Sequence, residues 1–120
     1  MLTGLPKDIQ SAVEDLIRMQ VAHGAPDFDL TCRALNMNGR ALRRVLDRSG
    51  LGFRGLSKRT RLDVAQELLS ETDMSVCFVA EAVGYSDPFN FSRAFNNHHG
   101  ILPTIVRNSV ERLTGIDRSP

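Results

Sequence analysis

The sequence predicts an all-α fold: two helix-turn-helix subdomains, about seven helices in all, joined by a long linker helix. Three observations carry that expectation. Apolar residues recur at helical spacing along most of the chain, and no stretch alternates with period two for long enough to form a strand. Capping residues and prolines stand where helices would begin, and glycines where they would end. A short helix, a tight turn and a second helix occur twice. Asp27-Phe28-x-x-Thr31-Cys32-x-x-Leu35-Asn36-Met37-Asn38 aligns, 48 positions later, with Ser75-Val76-x-x-Val79-Ala80-x-x-Val83-Gly84-Tyr85-Ser86. Beyond the turn an offset of 49 pairs Leu42, Arg44 and Leu46 with Phe91, Arg93 and Phe95. One such corner occurs in many bundles, whereas two in tandem with matched spacing point to paired helix-turn-helix units.

Each element has its own signal. Pro6 suits a first helical turn, and Ile9, Val13, Leu16, Ile17 and Val21 follow at helical spacing until Gly24 ends the segment. Asp27 is a good N-cap for a helix from Phe28 to Leu35, and Asn38 for one from Gly39 to Arg48, stopped by Gly50. From about Phe53 to Leu69 a longer helix carries two apolar stripes, Phe53, Leu56, Thr60 and Val64 on one side and Leu62, Ala65 and Leu69 on another, enough to bridge two small cores. Ser75 starts a short helix through Val83, closed by Gly84; Ser86 is the expected cap of the next, up to His99 and Gly100; Pro103 begins the last, through Val110 or Leu113. The expected organisation is an N-terminal helix packing on the first unit over 1–25, a first helix-turn-helix over 26–50, a linker helix over 51–70, a second helix-turn-helix with a C-terminal helix over 71–110, and a tail over 111–120.

At 120 residues, 42% apolar and 24% charged, the chain has the composition of a folded globular domain and not of a disordered or low-complexity one. No window is long and apolar enough for a membrane span, and the N-terminus lacks the pattern of a signal peptide, so a cytoplasmic, nucleoid-associated protein is expected. Cys32 and Cys77 form neither a CxxC pair nor a four-ligand set; both are expected to be small core residues. No nucleophile, spaced His–carboxylate set or phosphate-binding Gly loop is recognisable, so no enzyme, cofactor or metal is expected. His98 is expected on the inward face of its helix and His99 on a different side, which argues against a shared metal site.

The net charge of +1 hides a strong asymmetry: residues 38–61 carry +7 and the other 96 positions −6. A basic block in a nearly neutral protein is the footprint of a polyanion partner held by one region, with a solvated helix face as the plain alternative. In the first unit Leu42, Val45 and Leu46 share one face, leaving Arg40, Arg43 and Arg44 on the opposite one, where arginine can bind guanine O6 and N7 or a phosphate. In the second, Phe91, Ala94 and Phe95 turn inward and Phe89, Asn90, Arg93, Asn96 and Asn97 outward; Asn suits adenine and an exposed Phe a thymine methyl. Arg54, Lys58 and Arg61, spaced four and three, make a basic stripe for a phosphate backbone or an intramolecular ion pair.

These residues together resemble the DNA-binding domain of AraC/XylS-type transcriptional regulators, over about residues 26–107. The resemblance rests on Met37-Asn38-x-Arg40-x-Leu42-x-Arg44-x-Leu46, on Gly50-x-x-Phe53 and Arg61-Leu62-x-x-Ala65-x-x-Leu68-Leu69. It rests most on Val79-Ala80-x-x-Val83-Gly84-Tyr85-Ser86-Asp87-x-x-x-Phe91-Ser92-Arg93-Ala94-Phe95-x-x-x-x-Gly100-x-x-Pro103-x-x-x-Arg107. It implies two recognition helices placed in successive major-groove segments on one side of the DNA. By motif position it assigns Arg40, Arg43 and Arg44 to the first reading face and Pro88, Phe89, Ser92 and Arg93 to the second. Where the family usually has basic residues this chain has Asn96 and Asn97, and non-aromatic or less aromatic choices stand at His98, His99 and Val106.

The expected function is therefore sequence-specific DNA binding in transcriptional regulation, with a protein-binding module of weak DNA affinity as the alternative. Base readout is expected from Arg40, Arg43, Arg44, Phe89, Asn90, Ser92 and Arg93. Phosphate contacts are expected from Asn38, Arg54, Lys58, Arg59, Arg61, Asn96 and Asn97. Double-stranded DNA is the expected partner, RNA polymerase a further candidate and a membrane none. No segment of this chain is large enough for an effector or dimerisation domain, which is expected to be absent from it.

Overall fold

The computed structural model describes residues 6–114, with side chains described over 9–110. The helices are α1 (Pro6–Val21), α2 (Phe28–Leu35), α3 (Gly39–Arg48), α4 (Gly52–Glu71), α5 (Val76–Ala82), α6 (Pro88–His99) and α7 (Pro103–Thr114). No strand occurs among the described residues. The chain divides inside α4 into two compact units, the first ending at Thr60 and the second beginning at Arg61.

In the first unit α1 packs on α2 and α3, which also pack on each other. The 3.6-residue spacing of Val13, Ile17 and Val21 puts all three on the inner face of α1, where they are buried with Cys32 of α2, Leu42 and Leu46 of α3 and Leu56 of α4. A polar joint sits beside this core: Gln20 Nε2 donates to Thr31 Oγ1 at 2.9 Å while its Oε1 accepts from the Asp27 backbone N–H. The fully buried Thr31 hydroxyl donates in turn to the Asp27 carbonyl at 2.9 Å. The buried Thr31 hydroxyl is thus satisfied as both donor and acceptor, as a low-dielectric interior demands.

In the second unit Leu62, Ala65 and Leu69 of α4 are buried with Val79, Ala80 and Val83, with Phe91 and Phe95 of α6, and with Val106 of α7. Phe91 stands 5.6 Å from both Tyr85 and Phe95, ring centre to centre, in edge and tilted geometries that aromatic quadrupoles favour. Arg107 fastens α7 by donating from Nε to the Leu69 carbonyl at 3.1 Å.

The repeat seen in the sequence is a repeat in geometry. Asn36, one position past the end of α2 at φ 55°, and Gly84, two past the end of α5 at φ 96°, both take the left-handed conformation. Met37 N–H then bonds to the Cys32 carbonyl at 3.0 Å, and Tyr85 N–H to the Ala80 carbonyl at 2.9 Å, the same reversal in both copies. Asn tolerates this conformation and Gly adopts it freely. The second helix of each copy opens on a side-chain cap: Asn38 Oδ1 accepts from Ala41 N–H at 2.8 Å, and Asp87 Oδ1 from Phe89 N–H at 2.9 Å.

Three expectations are corrected. The cap of α6 is Asp87 and not Ser86; both are good capping types, and Pro88 at the first helical position fixes the start one residue later. Cys32 is buried but Cys77 is exposed, because it lies about 160° around α5 from the buried Val79. His98 is exposed at the edge of its helix while the His99 ring is largely buried, and the two do not diverge: both turn toward Asp63.

Candidate nucleic-acid interface

In the first unit the outward face of α3 presents Arg40, Arg43 and Arg44, all exposed, opposite the buried Leu42 and Leu46. They border an open groove of about 700 Å³ together with Phe28, Asp29, Gly39, Asp47 and Arg48, so four arginines face two carboxylates there. Arg40 lies in the first turn of α3, which holds no acidic residue. A cation at that end opposes the helix dipole by about 0.3–1 kcal/mol, whereas an anion brought to it is favoured by dipole and guanidinium together.

Arg43 is held in place by a residue that sequence reasoning left out of the site. Its Cζ stands 5.0 Å from the centre of the Phe28 ring, and Phe28 is pinned edge-on by Phe53 at 5.3 Å and 75°. A Cβ on Gly39 would come within 3.3 Å of Phe28 Cε2, so Gly39 makes room for the ring. The available signal was an aromatic residue opening α2, the helix that precedes α3. Such a stack limits the rotamers of a long cation without consuming its N–H donors.

Arg54 and Lys58 are exposed on α4, four residues apart. Asn38 keeps its amide donors for an outside acceptor while its oxygen caps α3. Arg59 and Arg61 are differently placed. Arg59 Nη2 donates to Glu14 Oε1, and Arg61 lies under the Tyr85 ring at 5.1 Å with Nη1 packed against Gly84.

In the second unit Phe89, Asn90, Arg93, Asn96 and Asn97 are exposed along α6, Ser92 is half-buried, and Phe91 and Phe95 anchor the opposite face. Phe89 is 79% exposed, an isolated apolar ring at the start of the helix. The structure thus brings Arg40, Arg43 and Arg44 onto one face of the first unit and Phe89, Asn90, Ser92 and Arg93 onto one face of the second. The arrangement can offer donors and one apolar contact to a polyanion with readable edges. Among the described residues no helix is long and apolar enough to cross a membrane.

Comparison with known proteins places the fold and the family. A helix-turn-helix domain family model matches residues 31–109. The chain is 31% identical over 106 residues to the transcriptional activator NphR of a Rhodococcus species, covering 83% of this chain and 32% of NphR. It is 32% identical over 84 residues to the ornithine utilization regulator of Pseudomonas aeruginosa, covering 70% of this chain and 25% of that protein. The chain therefore spans about a third or less of these relatives. In fold it is similar to a DNA-binding transcriptional dual regulator of Escherichia coli K-12, with a TM-score of 0.76 at 22% identity over 87% of this chain and 93% of that one. It is also similar to a probable AraC family transcriptional regulator of Rhodopseudomonas palustris, with a TM-score of 0.71 at 23% identity over 86% of this chain and 97% of the other. With two matching capped turns, two exposed helix faces and a family match over most of its length, the chain belongs to the AraC/XylS-type helix-turn-helix family of DNA-binding transcriptional regulators.

Proposed function

We propose that this chain reads an asymmetric DNA site, with α3 in one major-groove segment and α6 in the next. The observation that supports it most is the doubled turn geometry: each copy carries a capped helix whose outward face, Phe89 apart, is polar or cationic and whose inward face is fixed by two fully buried side chains. Arg40, Arg43 and Arg44 serve one half-site and Phe89, Asn90, Ser92 and Arg93 the other. Asn38, Arg54, Lys58, Asn96 and Asn97 approach phosphates. Arg59 and Arg61 join them only by leaving Glu14 and Tyr85. As both recognition helices belong to one chain, a monomer covers roughly 15 to 20 base pairs.

The test is selection of bound duplexes from a random pool, followed by the same selection with Arg40→Ala, Arg43→Ala and Arg93→Ala. Each first-unit substitution is expected to relax base preference in one half of the site, by about 1–3 kcal/mol at the affected position, and Arg93→Ala in the other half. One chain should bind one duplex. Unchanged base preferences in all three variants, or a two-to-one complex on a palindrome alone, would overturn the proposal.

A further inference from the structure

Asp63 of α4 and His98 and His99 at the C-terminal end of α6 converge within the second unit. His98 Nε2 lies 2.9 Å and His99 Nε2 3.7 Å from Asp63 Oδ1, and the three ligand atoms are all within 4.8 Å of one another. The two imidazoles meet edge to face, with ring centres 4.4 Å apart, so that both Nε2 atoms turn toward one carboxylate. Two imidazoles and a carboxylate are the donor set that suits zinc and its first-row neighbours. A tetrahedral ion with bonds of about 2.0–2.2 Å holds its donors roughly 3.3–3.5 Å apart, and the observed 2.9 and 3.7 Å bracket that spacing. We propose that Asp63, His98 and His99 form a binding site for one divalent transition-metal ion of the zinc class, with a remaining coordination position for water.

The supports of the site are stiff. The His99 ring packs on the fully buried Phe95 with ring centres 4.5 Å apart, and Asp63 projects from the middle of a 20-residue helix. Little ordering is left for an ion to impose on His99 and Asp63, which favours binding. Hydrogen bonds account for the same atoms without an ion: His98 Nε2 bonds to Asp63 at 2.9 Å and His99 Nε2 to the Leu62 carbonyl at 3.0 Å. An ion takes the place of the two Nε2 protons, each imidazole then carrying its single proton on Nδ1, and the Leu62 carbonyl keeps its place in the helical ladder of α4. The site ties the end of α6 to α4. Nine residues separate His98 from Phe89, roughly 14 Å along the helix axis, so the ion stays clear of the reading face. The proposal rests on the fold of this unit and not on the DNA-binding function.

The full chain, without any histidine tag and stripped by chelation, is titrated with Co²⁺ and then challenged with Zn²⁺. One saturable ion per chain is expected, with a visible ligand-field absorption that Zn²⁺ abolishes. Zn²⁺ at about a hundred times its Kd should raise the thermal midpoint by roughly 5 °C or more. Asp63→Asn and His98→Ala should each weaken binding about tenfold or more and remove the absorption. His23→Ala, at the third histidine, should leave both unchanged. Absence of saturable binding to the wild-type chain, or wild-type affinity in both ligand variants, overturns the site; the wild-type titration decides even if a variant fails to fold.

Discussion

Cys32 and Cys77 are chemically identical and differ only in where α2 and α5 turn them. Cys32 is buried, and burial pushes its thiol pKa up, with Asp29 adding to the rise and Arg43 opposing it. Cys77 faces solvent. Because the thiolate is the reactive form, a thiol-alkylating reagent at neutral pH should modify Cys77 rapidly and Cys32 only after denaturation, as peptide mass spectrometry would report. Equal labelling in the native state would contradict the burial of α2. The sign of the linked stability follows: a raised folded pKa means the native state holds this proton more tightly. Cys32 therefore contributes stability below the ordinary thiol range, and that contribution is lost as pH rises through its raised value. Alkaline pH should lower the urea midpoint, and Cys32→Ala should lessen that decline.

At the scale of the element, the tight turn between α5 and α6 depends on glycine. Gly84 sits at φ 96°, and a Cβ there would come within 3.0 Å of Arg61 Nη1, which is itself clamped under Tyr85. Gly84→Ala should destabilise the protein by about 1–3 kcal/mol, measured by denaturant titration. Gly50→Ala shares the positive φ but meets nothing within 4 Å, so it should be the milder of the two. The turn was legible in the sequence because its chemistry is local: Gly84 and the cap of α3 at Asn38 announce themselves by residue type. The neighbouring choice was not, since Ser86 and Asp87 are both good caps and only the fixed φ of Pro88 separates them. Helical periodicity located Leu42, Leu46, Phe91 and Phe95 but misjudged the two histidines. The inward axis of α6 runs between His98 and His99, so a carboxylate supplied by α4 can be flanked by both, and no spacing within α6 reveals Asp63. Phe28 escaped notice for the same reason, since its partners Arg43 and Phe53 lie on other helices. Contacts between elements are set by packing, which a single sequence encodes only indirectly.

For the whole molecule the governing quantity is charge along the chain: +7 over residues 38–61 against −6 elsewhere. Outward on α6 Arg93 is the one arginine, beside Asn90, Asn96 and Asn97, so phosphate neutralisation should come mainly from the first unit, including the start of α4. Binding to B-DNA releases counterions, and log affinity falls against log salt with a slope of about −0.9 for each phosphate neutralised. Arg54→Ala and Lys58→Ala, which remove exposed and outward cations, should each shallow that slope by roughly one and weaken all sequences alike. Arg59→Ala should do less, because its guanidinium already answers Glu14. Converting Asn96 and Asn97 to lysine should steepen the slope and raise affinity for duplexes of any sequence, since added charge attracts every phosphate backbone. A chain that bound a protein partner in place of DNA would show a weak slope and little response to any of these changes. Titration of labelled duplex at several salt concentrations separates the two, and an unchanged slope in the Arg54→Ala, Lys58→Ala double variant would remove the start of α4 from the interface.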